Sequence, residues 1–228
     1  MRFQDAAPDA RAVVYQNIQA DPLVARAAEL LADGPGAVRI LARAVMNGES
    51  VEPERWRTMF PGLFGPGADA ADRERAEAVL DVSLRVADRG EQARSQFRGA
   101  IVEALTELLL RRRTPDVRRE RRVLFDGVRA QVHPYDVTVE TVGAAEVLDC
   151  KWGARGINGE VLLQLDDART HAEAEGARVR VALVVFDAYR SCLVRLARET
   201  APADGTRLAT IETIGDLATR PAALRARR

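Results

Sequence analysis

The sequence has 228 residues, which is enough for one large domain or two small ones. Apolar residues make up 47% of it, so the chain can bury a core, and this argues against global disorder. The 34 basic residues balance the 34 acidic ones, so net charge does not by itself indicate nucleic-acid binding.

Cysteine content and hydropathy narrow the class of protein further. Cys150 and Cys192 are too few and too far apart for a disulfide framework or a zinc site. The opening residues contain no apolar segment of the kind found in secretory signals. No apolar run approaches the roughly 18 residues that a membrane helix needs. We therefore expect a cytoplasmic protein that does not enter a membrane.

The first part of the chain predicts short helices. Asp21 and Pro22 begin one, and the turn residues at 33–36 end it. Residues 37–46 and 52–59 predict two more helices. Many helix breakers follow at 61–67, which indicates a linker. We therefore expect an N-terminal helical region, residues 1–68, and a second domain, residues 69–228.

The pattern of residues 70–113 is helical, with a break expected near Gly90 or Gly99. Apolar residues repeat at helical spacing around Glu103 within this stretch. After Arg122 the pattern changes to short runs rich in β-branched residues. These runs predict a meander of strands at 123–125, 128–132, 136–142 and 145–151.

The last third of the chain alternates between helix and strand. Residues 161–175 predict a helix, and the unbroken apolar run 179–186 predicts a strand buried on both faces. A helix over 189–198, a short strand over 208–211 and a short helix to Leu217 complete the pattern. The whole order indicates an α/β fold with a mixed sheet flanked by helices.

Lys151 is the only lysine in the chain, although the sequence contains 34 basic residues. Since strand residues alternate between faces, Lys151 and Asp149 point the same way, and a hairpin can bring Asp136 beside Asp149. Two converging carboxylates favour a bound cation. These oxygens, with the Cys150 carbonyl as a further donor, favour Mg²⁺ or Mn²⁺. A lysine beside such a metal suits metal-assisted hydrolysis of a phosphodiester.

This arrangement resembles the PD-(D/E)XK nuclease signature of the restriction-endonuclease-like fold. The motif is Tyr135–Asp136, followed thirteen residues after Asp136 by Asp149–Lys151. Glu103, on the helix before the hairpin, and Gln164, on the helix after the lysine strand, are similar to polar residues of that family. The resemblance covers about residues 95–218 and includes the order of the elements as well as the motif.

The sequence departs from the family pattern at two places. Tyr135 separates Pro134 from Asp136, so the literal Pro-Asp pair is absent. Ala168 stands four residues after Gln164, where the RecB-like branch has a tyrosine. The subfamily therefore stays unassigned.

The resemblance implies a Mg²⁺- or Mn²⁺-dependent nuclease that acts on DNA more often than on RNA. Lys151 would position the attacking water and offset the charge of the transition state, with Gln164 close by. The resemblance assigns metal binding to four groups: Asp136, Asp149, the Cys150 carbonyl and Glu103, the last directly or through a water.

Seven arginines lie within twelve positions after the Glu103 helix, offset only by Asp116 and Glu120. Such a cluster can neutralise phosphates of a nucleic-acid backbone. The alternative is a solvated helix end, because cations are favourable near a helix C-terminus. The seven residues are Arg111, Arg112, Arg113, Arg118, Arg119, Arg121 and Arg122.

Each candidate also has a purely structural interpretation. Lys151 is then a surface residue paired with an acid, Asp136 a turn residue, and Glu103 and Gln164 solvated helix positions. Two other functions fit the sequence. One is a catalytically inactive nuclease-fold module that binds nucleic acid. The other is a protein-interaction subunit of a multi-gene system, such as phage defence, that docks through its N-terminal helices. Self-association into a homo-oligomer also stays open.

Overall fold

The computed structural model describes residues 1–6, 10–126, 128–129, 133–200 and 204–220. The chain forms two compact units. We call Asp9–Leu108 the helical unit. The sheet unit combines Met1–Pro8 with Leu109–Arg228.

The helices of the described residues are α1 (Ala10–Gln19), α2 (Pro22–Ala32), α3 (Gly36–Asn47), α4 (Pro53–Met59), α5 (Pro61–Phe64), α6 (Ala70–Ala87), α7 (Glu91–Arg111), α8 (Gly159–Ala174) and α9 (Tyr189–Leu196). The strands are β1 (Arg2–Asp5), β2 (Val117–Phe125), β3 (Val128–Arg129), β4 (Tyr135–Thr141), β5 (Ala144–Lys151), β6 (Arg178–Val185) and β7 (Thr206–Ala209). Short 3-10 turns lie at Ala154–Gly156 and Ile214–Ala218.

The helical unit follows local signals in its sequence. Asp21 caps α2 by accepting a hydrogen bond from the Leu23 N–H at 2.9 Å, and Pro22 occupies the first helical position. The predicted break near Gly90 is confirmed, since α6 ends at Ala87 and α7 begins at Glu91.

The division between the units differs from the one expected at residue 68. Because α6 packs against α2 and α3, residues 70–87 belong to the same compact unit as residues 22–47. The segment 61–67 contains α5, and Leu63 within it is buried. The division falls inside α7 instead, at Leu108–Leu109. The sequence signal failed here because breakers mark a turn equally well inside a packed core and between domains.

The fold is α/β, with a mixed sheet flanked by helices, as the sequence predicts. Within the described residues the strand order is β1-β2-β4-β5-β6-β7, with β3 pairing with β2. The neighbours β1, β2, β4 and β5 run antiparallel, whereas β5, β6 and β7 run parallel. The two parallel connections are made through α8 and α9, since a parallel pair requires a crossover.

Two strands differ from the prediction. β2 begins at Val117 rather than at residue 123, so it includes four arginines of the predicted basic cluster. β1 was not predicted at all, and it forms because residues 2–5 pair with residues 121–124 of β2. Part of the strand predicted at 128–132 lies outside the described residues.

The core of the sheet unit lies under α8. Apolar residues of this helix pack on one face of β5 and β6, and β6 is buried on both faces, as predicted. The buried core of the sheet unit includes Val147, Leu162, Leu165, Ala168, Val181 and Leu183.

Among the helices that the structure describes, none combines the length and the apolar character needed to cross a lipid bilayer.

Candidate active site

The register of β4 and β5 brings two aspartates to the same end of a hairpin. The last paired residues are Val137 and Leu148. Asp136 and Asp149 occupy the next position on each strand, so the register places them opposite each other. Asp136 accepts a hydrogen bond at 2.6 Å from the backbone N–H of Cys150, which fixes its carboxylate against β5. The predicted hairpin is therefore present, with both aspartates at the end where its pairing stops. That their carboxylates share a metal stays a prediction.

Lys151 forms an ion pair with Asp149 through Nζ and Oδ1. The Asp149 side chain is only 9% exposed, whereas that of Lys151 is 26% exposed. The lysine side chain is therefore partly accessible, whereas the carboxylate that it pairs with is buried.

The electrostatics of this pair determine what Lys151 can do. Burial raises the pKa of the Asp149 carboxyl, and the Lys151 ammonium opposes that shift only in part. Burial lowers the pKa of the Lys151 ammonium, but the charges of Asp149 and Asp136 outweigh it, so the net shift is upward. Lys151 therefore stays protonated near neutral pH and acts as a positive charge and hydrogen-bond donor rather than as a base.

Gln164 of α8 ties the start of β4 to the helix. Its side-chain Nε2 donates to the backbone carbonyl of His133 at 2.8 Å. Its own backbone carbonyl accepts a 3.0 Å hydrogen bond from the buried Tyr135 hydroxyl. Both contacts hold the residues directly before Asp136. Gln164 thus lies where the resemblance implies, and the contacts indicate a positioning role.

Glu103 belongs to the helical unit. Its carboxylate accepts hydrogen bonds there from the Tyr15 hydroxyl and, at 2.7 Å, from the Gln19 side-chain amide. Glu103 is 5% exposed, so the alternative of a solvated helix position is wrong. Its role as a metal ligand stays a prediction.

Three of the seven arginines lie at the C-terminal end of α7, as the helix-end alternative has it, and the other four lie on β2. All seven have partners within the chain. Arg113 donates to both carboxylate oxygens of Glu146 at 3.0 and 2.7 Å. Arg121 donates to Glu140 at 2.7 Å and also pairs with Asp5. The other five also have partners inside the protein: Arg111, Arg112, Arg118, Arg119 and Arg122. Their role in binding nucleic acid stays a prediction.

The sequence patterns did not identify three residues that lie near the site. Tyr135 was noted only as part of the motif, although its hydroxyl anchors β4 to α8. Gly156 packs against Lys151, since a Cβ there would lie 2.9 Å from Cδ of that lysine. The buried Asp187 accepts a 2.9 Å hydrogen bond from the Ala154 N–H. Only Asp187 had a usable signal, namely an acid directly after a buried strand.

The donor set fits a magnesium ion in its chemistry. Asp136 and Asp149 are hard oxygen ligands on one hairpin, and Cys150 between Asp149 and Lys151 has a carbonyl of the same kind. The described residues contain no group of three or more His, Cys, Asp or Glu side chains that could hold a metal. Mg²⁺ commonly takes one or two carboxylates and completes its shell with water and substrate phosphates. Two carboxylates are thus compatible with it.

Comparison with known proteins adds no relative. The chain matches no protein-family model and no curated protein. The resemblance to the PD-(D/E)XK nucleases therefore depends only on the residues of this sequence and the order of its predicted elements.

Proposed function

We propose that this protein is a Mg²⁺-dependent nuclease that hydrolyses phosphodiester bonds, and that DNA is favoured over RNA as its substrate. One observation carries the proposal. The β4–β5 hairpin places Asp136 and Asp149 at one end, and the lone lysine of the chain pairs with Asp149 at the same end. Two carboxylates and a partly exposed lysine at one end of a hairpin suit the hydrolysis of a phosphodiester.

The topology around the hairpin supports the restriction-endonuclease-like fold. The helix α7 precedes an antiparallel set of strands, β2, β4 and β5. A crossover through α8 then leads to β6, which runs parallel to β5. The resemblance found in the sequence depends on this same order of elements, and the strand pairings are compatible with it.

In the proposed reaction, each side chain has a separate task. Asp136 and Asp149 would hold Mg²⁺, which would supply Lewis-acid polarisation of a phosphoryl oxygen. The Cys150 N–H orients Asp136. Lys151 donates hydrogen bonds to the attacking water and to a phosphate oxygen, and its charge stabilises the more negative transition state. Gln164 and Tyr135 keep the start of β4 in place through their contacts with α8.

The direct test is cleavage of plasmid and single-stranded DNA, with a matched RNA, in Mg²⁺, Mn²⁺ or EDTA. We expect Lys151→Ala and Asp149→Asn to lower the rate by at least about 100-fold, because the first removes a charge that stabilises the transition state and the second removes a ligand of the metal. Glu160→Gln is the matched control, since Glu160 is an exposed acid on α8 with no part in the proposed chemistry. Wild-type rates in both Lys151→Ala and Asp149→Asn would reject the assignment.

A second candidate is a catalytically inactive module of the same fold that binds nucleic acid or a partner protein. The Lys151–Asp149 ion pair favours it, because the ammonium offsets part of the cost of burying this carboxylate without a metal. Titration calorimetry with Mg²⁺ and Mn²⁺ distinguishes the two candidates. Retained DNA binding with no divalent-metal binding tighter than millimolar would favour the inactive module. Capture of a defined partner through residues 1–68 would favour the protein-interaction version, as in a phage-defence system.

A further inference from the structure

The turn after β5 is held in place at both ends. Its first residue, Ala154, donates its N–H to the carboxylate of Asp187 at 2.9 Å. Asp187 is buried and lies two residues after the end of β6, so the turn is attached to the end of the neighbouring strand. Beyond the turn, the carbonyl of Ile157 accepts a 2.8 Å hydrogen bond from Nε of Arg195 on α9. These contacts restrict the backbone of Ala154–Gly156.

The same turn packs directly on Lys151. A Cβ on Gly156 would lie 2.9 Å from Cδ of Lys151 and 3.0 Å from its Cβ and Cγ. Only a residue without a side chain can therefore approach the lysine stem this closely. The turn and the ammonium of the proposed active site consequently belong to one local structure.

Arg155 lies in the middle of this turn and is exposed. None of the described residues forms a hydrogen bond or an ion pair with its guanidinium. Arg113 and Arg121 differ in this respect, since carboxylates of the chain pair with both. Arg155 therefore offers a complete set of donors in a backbone that is already ordered. Binding of a ligand then has to order the side chain but not the backbone that carries it.

We propose that Arg155 binds a backbone phosphate of the nucleic acid next to the phosphodiester that is cleaved. This inference rests on the proposed nuclease function and deepens it by naming a substrate contact. A guanidinium presents a planar fork that matches two phosphate oxygens, which an ammonium does not. The division of tasks is then clear: Lys151 acts at the reacting phosphate, and Arg155 holds the strand beside it.

The test measures binding of labelled duplex and single-stranded oligonucleotides in EDTA, as a function of salt concentration. This readout does not require catalysis. We expect Arg155→Ala to weaken binding and to reduce the salt slope, d log K/d log [salt], by about 0.9 on duplex or about 0.7 on a single strand. Arg155→Lys should keep the slope and weaken binding less, because it retains the charge but not the fork.

Arg178→Ala is the matched control. Arg178 is also exposed, and its guanidinium has no hydrogen bond or ion pair among the described residues. Its backbone pairs with Ala144, at the opposite end of β5 from Lys151. The distance along β5 from Ala144 to Lys151 is about 23 Å at the usual rise per residue. We therefore expect Arg178→Ala to show the same salt slope, d log K/d log [salt], as the wild type.

The outcomes separate this inference from the proposed function. Wild-type binding with an unchanged slope in Arg155→Ala overturns the inference alone, as does an equal loss in Arg178→Ala. If the wild-type chain neither binds nor cleaves nucleic acid, the proposed function fails and the inference fails with it. Thermal unfolding of each variant confirms that a loss of binding does not come from a loss of fold.

Discussion

Lys151 shows how a single side chain depends on its surroundings. The stem packs against Gly156, and the ammonium pairs with Asp149 while it stays partly accessible. Arginine has the same first three methylene carbons, so the packing against Gly156 does not by itself select lysine. The two residues differ at the tip, where lysine brings a compact ammonium to the Asp149 carboxylate and arginine would bring a planar fork.

Gly156→Ala tests whether the position of Lys151 matters. The added Cβ would lie within 3.0 Å of three carbons of the lysine stem, so the stem has to move. We expect cleavage to fall by as much as about 100-fold, because small displacements of a catalytic group are costly. Gly90→Ala is the control, since nothing lies within 4 Å of a Cβ built there. Equal rates in both variants would contradict the prediction.

Tyr135 gives a prediction at alkaline pH. Burial, followed by the charges of Asp167 and Asp149, raises the pKa of its phenol above the usual range. The folded protein therefore holds this proton more tightly than the unfolded chain. The resulting stability is complete below about pH 10 and is lost as pH rises toward the folded-state pKa, by up to about 1.4 kcal/mol per pH unit.

Urea unfolding between pH 8 and pH 11, compared with Tyr135→Phe, measures this effect. We expect the variant to be about 1 kcal/mol less stable near neutral pH, because the hydrogen bond to Gln164 is lost. The free energies of unfolding should then converge as pH rises. Parallel curves for the two proteins would show that Tyr135 does not cause the alkaline loss.

At the scale of the elements, β2 is the main difference between sequence and structure. The pattern of residues 117–122 predicts no strand, because four of these six residues are arginines. The strand forms because β1 and β4 pair with it on its two sides. The arginines of β2 then take part in contacts across the sheet, as the pair of Arg121 with Glu140 on β4 shows.

The Arg113–Glu146 pair predicts a large effect on stability. Both side chains are mostly buried, at 15% and 6% exposed, and Arg113 also donates to the carbonyl of Leu217 at 2.9 Å. We expect Glu146→Ala to cost about 3–5 kcal/mol, since it leaves a buried guanidinium without its counter-charge. Replacing both residues with leucine should cost much less, because no unpaired charge remains.

Urea unfolding of the single and double variants measures this coupling. Independent, additive losses would show that the two side chains do not interact in solution. A large loss in Arg113→Ala would also show that any loss of nucleic-acid binding in that variant reflects instability of the fold.

The whole chain contains a helical unit and a sheet unit, and α7 contributes residues to both. The groups that the proposed chemistry uses, Asp136, Asp149 and Lys151, all belong to the sheet unit. A ligand that binds them should therefore stabilise that unit by mass action, whether or not the protein is catalytically active.

Magnesium binding should thus raise the thermal unfolding midpoint. At a concentration of one hundred times the dissociation constant, the expected stabilisation is about 2.7 kcal/mol. For a protein of this size, that corresponds to roughly 5–11 °C. EDTA should remove the increase, and Asp149→Asn should abolish it, whereas Glu160→Gln should retain it. Identical midpoints with Mg²⁺ and with EDTA in the wild type would contradict the two-carboxylate site. Calorimetric scanning provides the measurement.

The sequence by itself determined the features that depend on neighbouring residues. Strand alternation placed Asp149 and Lys151 on one face, the Asp21 cap began α2, and the apolar run of β6 predicted a buried strand. These signals are local, because backbone geometry fixes where nearby side chains point. The α/β class follows from the order of such elements.

Only the tertiary structure decided which distant groups meet. It paired the arginines with acids of the chain, attached β4 to α8 through Gln164, and placed Gly156 under the lysine stem. It also divided the chain within α7 rather than at residue 68. Each of these contacts depends on strand register and packing between elements, and neither is encoded in a short stretch of sequence.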